Sequence, residues 1–197
     1  MKPSIKKNLK EFGIIGGVLL LLFATGLHTE VFGFLQRGIL ATGLMKPEVE
    51  EKAEVAMKTP VTKADLNMTL INSAGETVKM SDLKGKVIFF NIWATWCPPC
   101  IAEMPGINSL YNDVSREEVA FIMLSVDQNF QKAIDFRKNK GFDFEIYRLA
   151  GPMPAMYATN SIPTTYVIDA DGNLALTHRG MGQFDTREFK DFLEGLK

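Results

Sequence analysis

Apolar residues are distributed along this chain in three ways. One uncharged run extends from Phe12 to Leu27. Two shorter runs, Val87-Ile88-Phe89-Phe90-Asn91-Ile92 and Val119-Ala120-Phe121-Ile122-Met123-Leu124-Ser125-Val126, lack alternation. Both have strand length, so they predict strands buried on both faces, as in a parallel sheet. The third pattern is helical. Ile101, Met104, Ile107, Leu110 and Tyr111 recur at three- and four-residue spacing after the first strand. Phe130 to Lys140 repeats that spacing after the second strand and stops at Gly141, a residue suited to a left-handed helix end.

Shorter elements fill the rest. Met68–Asn72 and Thr77–Met80 flank Ser73-Ala74-Gly75-Glu76, which predicts a hairpin. Phe144–Leu149 reads as a short strand. Tyr166–Asp169 and Ala175–Arg179 flank a turn with Asp171-Gly172, a second hairpin signal. The last helix is expected from Asp185 to Leu196, with Asp185 near its cap and Phe189, Phe192, Leu193 and Leu196 on one face. Strands alternating with helices predict an α/β fold: a central mixed sheet flanked by helices, preceded by an N-terminal β-hairpin.

Three regions follow from these patterns. Residues 1–45 form an N-terminal membrane anchor and membrane-adjacent segment. Lys2, Lys6, Lys7 and Lys10 precede the apolar run, a membrane-targeting pattern with the basic end cytoplasmic. The run's 16 residues fall short of the roughly 20 of a comfortable span. A transmembrane helix over about 9–32 is therefore expected to draw in flanking residues. Cleavage after a small-residue site at Ala24-Thr25-Gly26 is the competing reading. The apolar Ile39, Leu40, Leu44 and Met45 favour an anchor; the alternative is that residues 31–45 form an ordinary helix packed on the globular part. Residues 46–59 read as a charged, solvated stem, and residues 60–197 as the globular domain. The expected location is the cytoplasmic membrane, single-pass, with the domain on the extracytoplasmic (periplasmic) side.

Composition narrows the function. The net charge of −1 gives no sign of a nucleic-acid partner, and none is expected. Two cysteines in 197 residues do not make a disulfide-stapled scaffold. Those two are Cys97 and Cys100, in Trp93-Ala94-Thr95-Trp96-Cys97-Pro98-Pro99-Cys100, where a predicted strand ends and a predicted helix begins. The first helical turn has unpaired N–H groups and the positive end of the helix dipole, and both favour a thiolate at Cys97. Pro98 and Pro99 suit that first turn. Cys100 lies one turn on, so one thiol can attack a substrate disulfide and the other resolve the mixed disulfide. A zinc site would need more ligands, and a haem attachment would need His at position 101, which is Ile. A purely structural bridge would close a tiny loop and stabilise little. No cofactor or metal is expected.

With these residues in hand, the segment from about residue 60 to 197 resembles the thioredoxin fold, and more closely the TlpA/ResA-like membrane-anchored thiol-disulfide oxidoreductases. WATWCPPC matches the active-site motif, and Pro105 falls where thioredoxins kink the active-site helix. Ser161-Ile162-Pro163-Thr164-Thr165 resembles the cis-proline segment. The resemblance implies a catalytic Cys97–Cys100 disulfide and a cis Pro163 facing it. It also implies substrate contacts from Trp96, Pro98, Pro99, Ile162 and Pro163. Glu103, three residues after Cys100, matches the family's active-site glutamate; near a thiol it would have a raised pKa and relay a proton. Position 91, where ordinary thioredoxins bury an acid, is Asn. The implied activity is reduction of protein disulfides outside the cytoplasm, for example in cytochrome c maturation with apocytochrome c as a partner. A membrane electron donor of the thiol-reductase type would supply electrons. Two alternatives compete. A peroxiredoxin-like reductase would need Pro and Thr or Ser at positions held by Phe90 and Ala94. A copper-delivery module would need a different cysteine spacing and a well-placed His.

Overall fold

The computed structural model of the chain describes residues 5–25, 27–40, 47 and 62–197. The expected stem at 46–59 lies outside these residues apart from Pro47. In chain order the elements are helices α1 (Ile5–Thr25) and α2 (Leu27–Leu40), strands β1 (Thr69–Asn72) and β2 (Thr77–Lys79), and β3 (Val87–Trp93). Then come α3 (Pro98–Asp113), β4 (Val119–Ser125), α4 (Phe130–Lys140), β5 (Ile146–Leu149), β6 (Thr164–Ile168), β7 (Leu174–Arg179) and α5 (Arg187–Glu194). The strands form one seven-stranded mixed sheet in the order β2-β1-β5-β4-β3-β6-β7. β3, β4 and β5 run parallel, whereas β6 pairs antiparallel with β3 and β1 antiparallel with β5. The sheet is thioredoxin-like, with the predicted hairpin on one edge.

β3 is central and buried along its whole length. Its side chains alternate between two cores, as strand geometry requires. Val87, Phe89 and Trp93 join Met104, Ile107 and Leu110 of α3 and Phe184 and Phe189 near the C-terminus. Ile88, Phe90 and Ile92 face the opposite core, with Leu70, Met80, Tyr157 and Tyr166. Burying each such side chain contributes about 1.5–3 kcal/mol. α3 therefore lies across one face of the strand that leads into it.

Several boundaries differ from the periodicity. β6 begins at Thr164 rather than Tyr166, because Thr164 and Thr165 pair with Ile92 and Asn91 of β3. The last helix is capped by Thr186, whose hydroxyl accepts from the Phe189 N–H, and not by Asp185. α4 matches its expected span; Asn129 caps its start and Gly141, at φ 66°, ends it.

The N-terminal region also differs. The single span expected over about 9–32 is divided between α1 and α2, and among the described residues no helix is long and apolar enough to cross a membrane. Phe12, Ile14, Val18, Leu20, Leu21 and Phe23 of α1 are exposed. α2 packs on α3. Leu40 is buried with Ala102 and Met181. Gly33 lies so close that a Cβ there would stand 3.3 Å from the Ile101 side chain and 3.5 Å from the Pro98 carbonyl oxygen.

Candidate active site

Cys97 and Cys100 form a disulfide in this structure. Cys97 is the N-cap residue of α3, with extended backbone at φ −100°, ψ 101°. Pro98 and Pro99 open the helix where no N–H partner is needed. The next free amide, Cys100 N–H, donates to Cys97 Sγ at 3.3 Å. The helix thus aims a backbone donor at the sulfur, which lowers the cost of charge on Cys97 once the disulfide opens. Cys97 is 4% exposed and Cys100 is fully buried. Of the pair, only Cys97 keeps any exposed surface.

The loop before β6 faces this sulfur. The Ile162–Pro163 bond is cis, and the Ile162 carbonyl oxygen lies 3.8 Å from Cys97 Sγ. Pro163 is buried and its carbonyl accepts from Gly180 N–H at 2.9 Å, which ties the loop to β7. Beside the pair, Trp96 is 59% exposed, an unusual setting for so large an apolar surface. Pro98, Pro99 and Ile162 are half-buried. The structure therefore brings together Trp96, Cys97, Pro98, Pro99, Ile162 and Pro163 around the outward sulfur. Trp93 is fully buried in the core.

Glu103 lies one helical turn beyond Cys100, and Pro105, with no N–H for the Ile101 carbonyl, sits two residues further on. Glu103 is 1% exposed. Its Oε1 accepts from Asn91 Nδ2 at 2.9 Å and its Oε2 from Gly182 N–H at 3.0 Å. Burial pushes its pKa up from 4.5 to about 8, against the opposing pull of these two hydrogen bonds. The residue borders a cleft of about 230 Å³ that also includes Arg37 and Leu40 of α2, Gly106 and Gln183.

Three supporting residues escape a reading by pattern. Asn91 stands on the α3-facing side of β3, and its Nδ2 also donates to Thr165 Oγ1 at 2.9 Å. One signal was present: an amide inside an otherwise apolar strand requires buried partners. Gly182 had no such signal. Asp127, just beyond β4, holds Thr95 of the motif through two hydrogen bonds.

A buried, helix-capped sulfur pair with one accessible member exchanges electrons with another thiol or disulfide brought to Cys97. On this sheet, opposite a cis-proline loop, it marks a thiol-disulfide oxidoreductase of the thioredoxin superfamily. Comparison with known proteins agrees. Residues 60–177 match the AhpC/TSA family, and the chain belongs to that family, as a ResA-like member of the superfamily. It is 29% identical over 177 residues to the thiol-disulfide oxidoreductase ResA of Bacillus cereus, covering 89% of this chain and 91% of the relative. It is 31% identical over 132 residues to ResA of Bacillus thuringiensis subsp. konkukian, covering 66% and 73%. Its fold is similar to the crystal structure of StoA from Bacillus subtilis, with a TM-score of 0.54 and 26% identity over 68% of this chain and 98% of that one. A thioredoxin-family thiol:disulfide interchange protein from Chlorobium tepidum gives 0.58 and 26%, with the same coverage. At the two positions where peroxide chemistry calls for Pro and Thr or Ser stand Phe90 and Ala94. Both are buried, and Phe90 packs on Tyr157 and Tyr166.

Proposed function

We propose that the protein reduces disulfides of other proteins on the extracytoplasmic face of the cytoplasmic membrane, with Cys97 as the attacking sulfur. In the dithiol form the Cys97 thiolate attacks one sulfur of a substrate disulfide and releases the other as a thiolate, which takes up a proton. The resulting mixed disulfide is then attacked by Cys100. That attack forms the Cys97–Cys100 bond and frees the second substrate thiol. Two electrons have passed to the substrate, and a membrane thiol reductase restores them. Glu103 serves the Cys100 proton. Burial pushes its pKa up to about 8, so near neutral pH the carboxyl can both hold and release a proton. The observation that carries this reading is the asymmetry of the pair: Cys97 capped and reachable, Cys100 buried beside a helix turn that carries a buried acid.

Trp96, Pro98, Pro99 and the Ile162–Pro163 loop form the surface on which the substrate peptide lies, pairing along the Ile162 backbone. The exposed apolar residues of α1 from Phe12 on, and Lys2, Lys6, Lys7 and Lys10 ahead of them, support attachment to the bilayer, with residues 46–59 as stem. The substrate class is cysteine pairs of exported proteins, apocytochrome c among them. In the full-length Cys100→Ser protein, resolution is blocked, and mixed disulfides with exported partners accumulate on Cys97. Their absence from membranes of cells expressing that variant would reject the reading. Release of the wild-type chain by carbonate would reject the anchor alone.

A further inference from the structure

Thr95 and Trp96 are the central residues of the turn that delivers Cys97 to the helix; the Cys97 N–H closes it on the Ala94 carbonyl at 3.2 Å. Whatever fixes Thr95 fixes the approach of Cys97 to α3. A single carboxylate does this. Asp127 Oδ2 accepts from the Thr95 N–H at 3.0 Å, and Asp127 Oδ1 accepts from the Thr95 hydroxyl at 2.6 Å. Asp127 is itself held. Ser125 Oγ donates to Oδ2 at 2.8 Å and accepts from the Asp127 N–H at 3.1 Å. Ser125 stands opposite Trp93 in the β3–β4 ladder, and Val126 N–H donates to the Trp93 carbonyl at 2.9 Å. The clamp is therefore anchored to the rigid ends of the two central strands.

We infer that Asp127 is a positioning residue: by clasping both donors of Thr95 it sets Cys97 Sγ against the Cys100 amide, and so tunes the reactivity of the attacking sulfur. The inference rests on Cys97 being that sulfur. The chemical reason is that N-cap stabilisation depends on the cap residue keeping its extended backbone and its side chain over the first-turn amides. A neutral side chain at 127 offers at most one good acceptor. A carboxylate offers two, matched to the two donors of Thr95.

The test uses the reduced full-length chain and follows alkylation of Cys97 by iodoacetamide across pH, in wild type, Thr95→Val, Thr95→Ser, Asp127→Asn and Asp127→Asn/Thr95→Val. Thr95→Val carries no change of charge. It is expected to slow alkylation at pH 7 about fivefold, the scale of a lost cap interaction, and to move the profile to higher pH. Thr95→Ser keeps the hydroxyl and stays within about twofold of wild type. In the Asp127→Asn background, Thr95→Val has a smaller effect than in wild type, because at most one arm of the clasp is left to lose. A Thr95→Val profile that superimposes on wild type overturns the inference, whatever happens to melting temperature. So does a full additional slowing in the double variant. A wild-type Cys97 that does not alkylate at all would instead overturn the assignment of the attacking sulfur.

Discussion

Glu103 is the residue at which burial and chemistry meet. A glutamate on a helix is normally solvated, yet this one is enclosed by β3, α3 and the Gly182 backbone. Its pKa is raised above the unfolded value, so the folded state binds the extra proton between about pH 4.5 and 8. That contribution to stability is complete at the acid end of the window and is lost as pH rises through about 8. Glu103→Gln stays neutral at all pH. The variant should therefore gain melting temperature relative to wild type from pH 5 to pH 9, by several degrees on the order-of-magnitude scale for a small domain. Its disulfide exchange should slow about 10²-fold, the lower end of general acid–base contributions, with a flattened pH profile. Parallel melting curves, or unchanged exchange, would remove Glu103 from the mechanism.

Among the elements, β3 and α3 were the most legible. Their apolar runs, the two prolines and the i,i+3 cysteines defined a strand, a helix start and a reactive pair from sequence. The segment around Gly182 was silent, because its role comes from packing between distant parts of the chain. Gly182 is confined: a Cβ there would lie 2.6 Å from Phe184 Cζ. Its amide also holds Glu103. Gly182→Ala must therefore displace Phe184, itself buried against Phe89 and Phe189. A loss of about 1–3 kcal/mol in denaturant unfolding is expected, the usual range for overpacking. The weakened Gly182–Glu103 bond should raise the acid's pKa further, since that bond pulls it down. An unchanged unfolding midpoint would mean that the loop relaxes freely.

At the scale of the whole molecule, a mixed sheet with two hairpins could be reasoned from strand–helix alternation and turn signals, but the order of its strands and the position of α2 could not. The α2 sequence reads first as the end of a membrane segment and second as a docked helix, since both need apolar residues. What decides is a small residue: Gly33 lets α2 approach α3 within contact of Ile101 and Pro98. α2 thus packs directly on the helix that carries Cys97 and Cys100. Gly33→Leu should lift α2 away, seen as faster hydrogen exchange in residues 27–40 with the β3–β4 ladder unaffected. Equal protection in the variant would show that the approach at Gly33 is not what holds α2.

All of this presupposes that the Cys97–Cys100 bond opens and closes reversibly in an otherwise intact fold. The most direct test is to equilibrate the full-length protein in dithiothreitol buffers of graded potential, trap free thiols, and weigh the product. The account predicts a single two-electron transition in which both cysteines appear together, the dithiol-to-disulfide ratio changing tenfold for each roughly 30 mV. The native sheet should persist on both sides of that midpoint. A disulfide that stays closed until the protein unfolds would contradict the account.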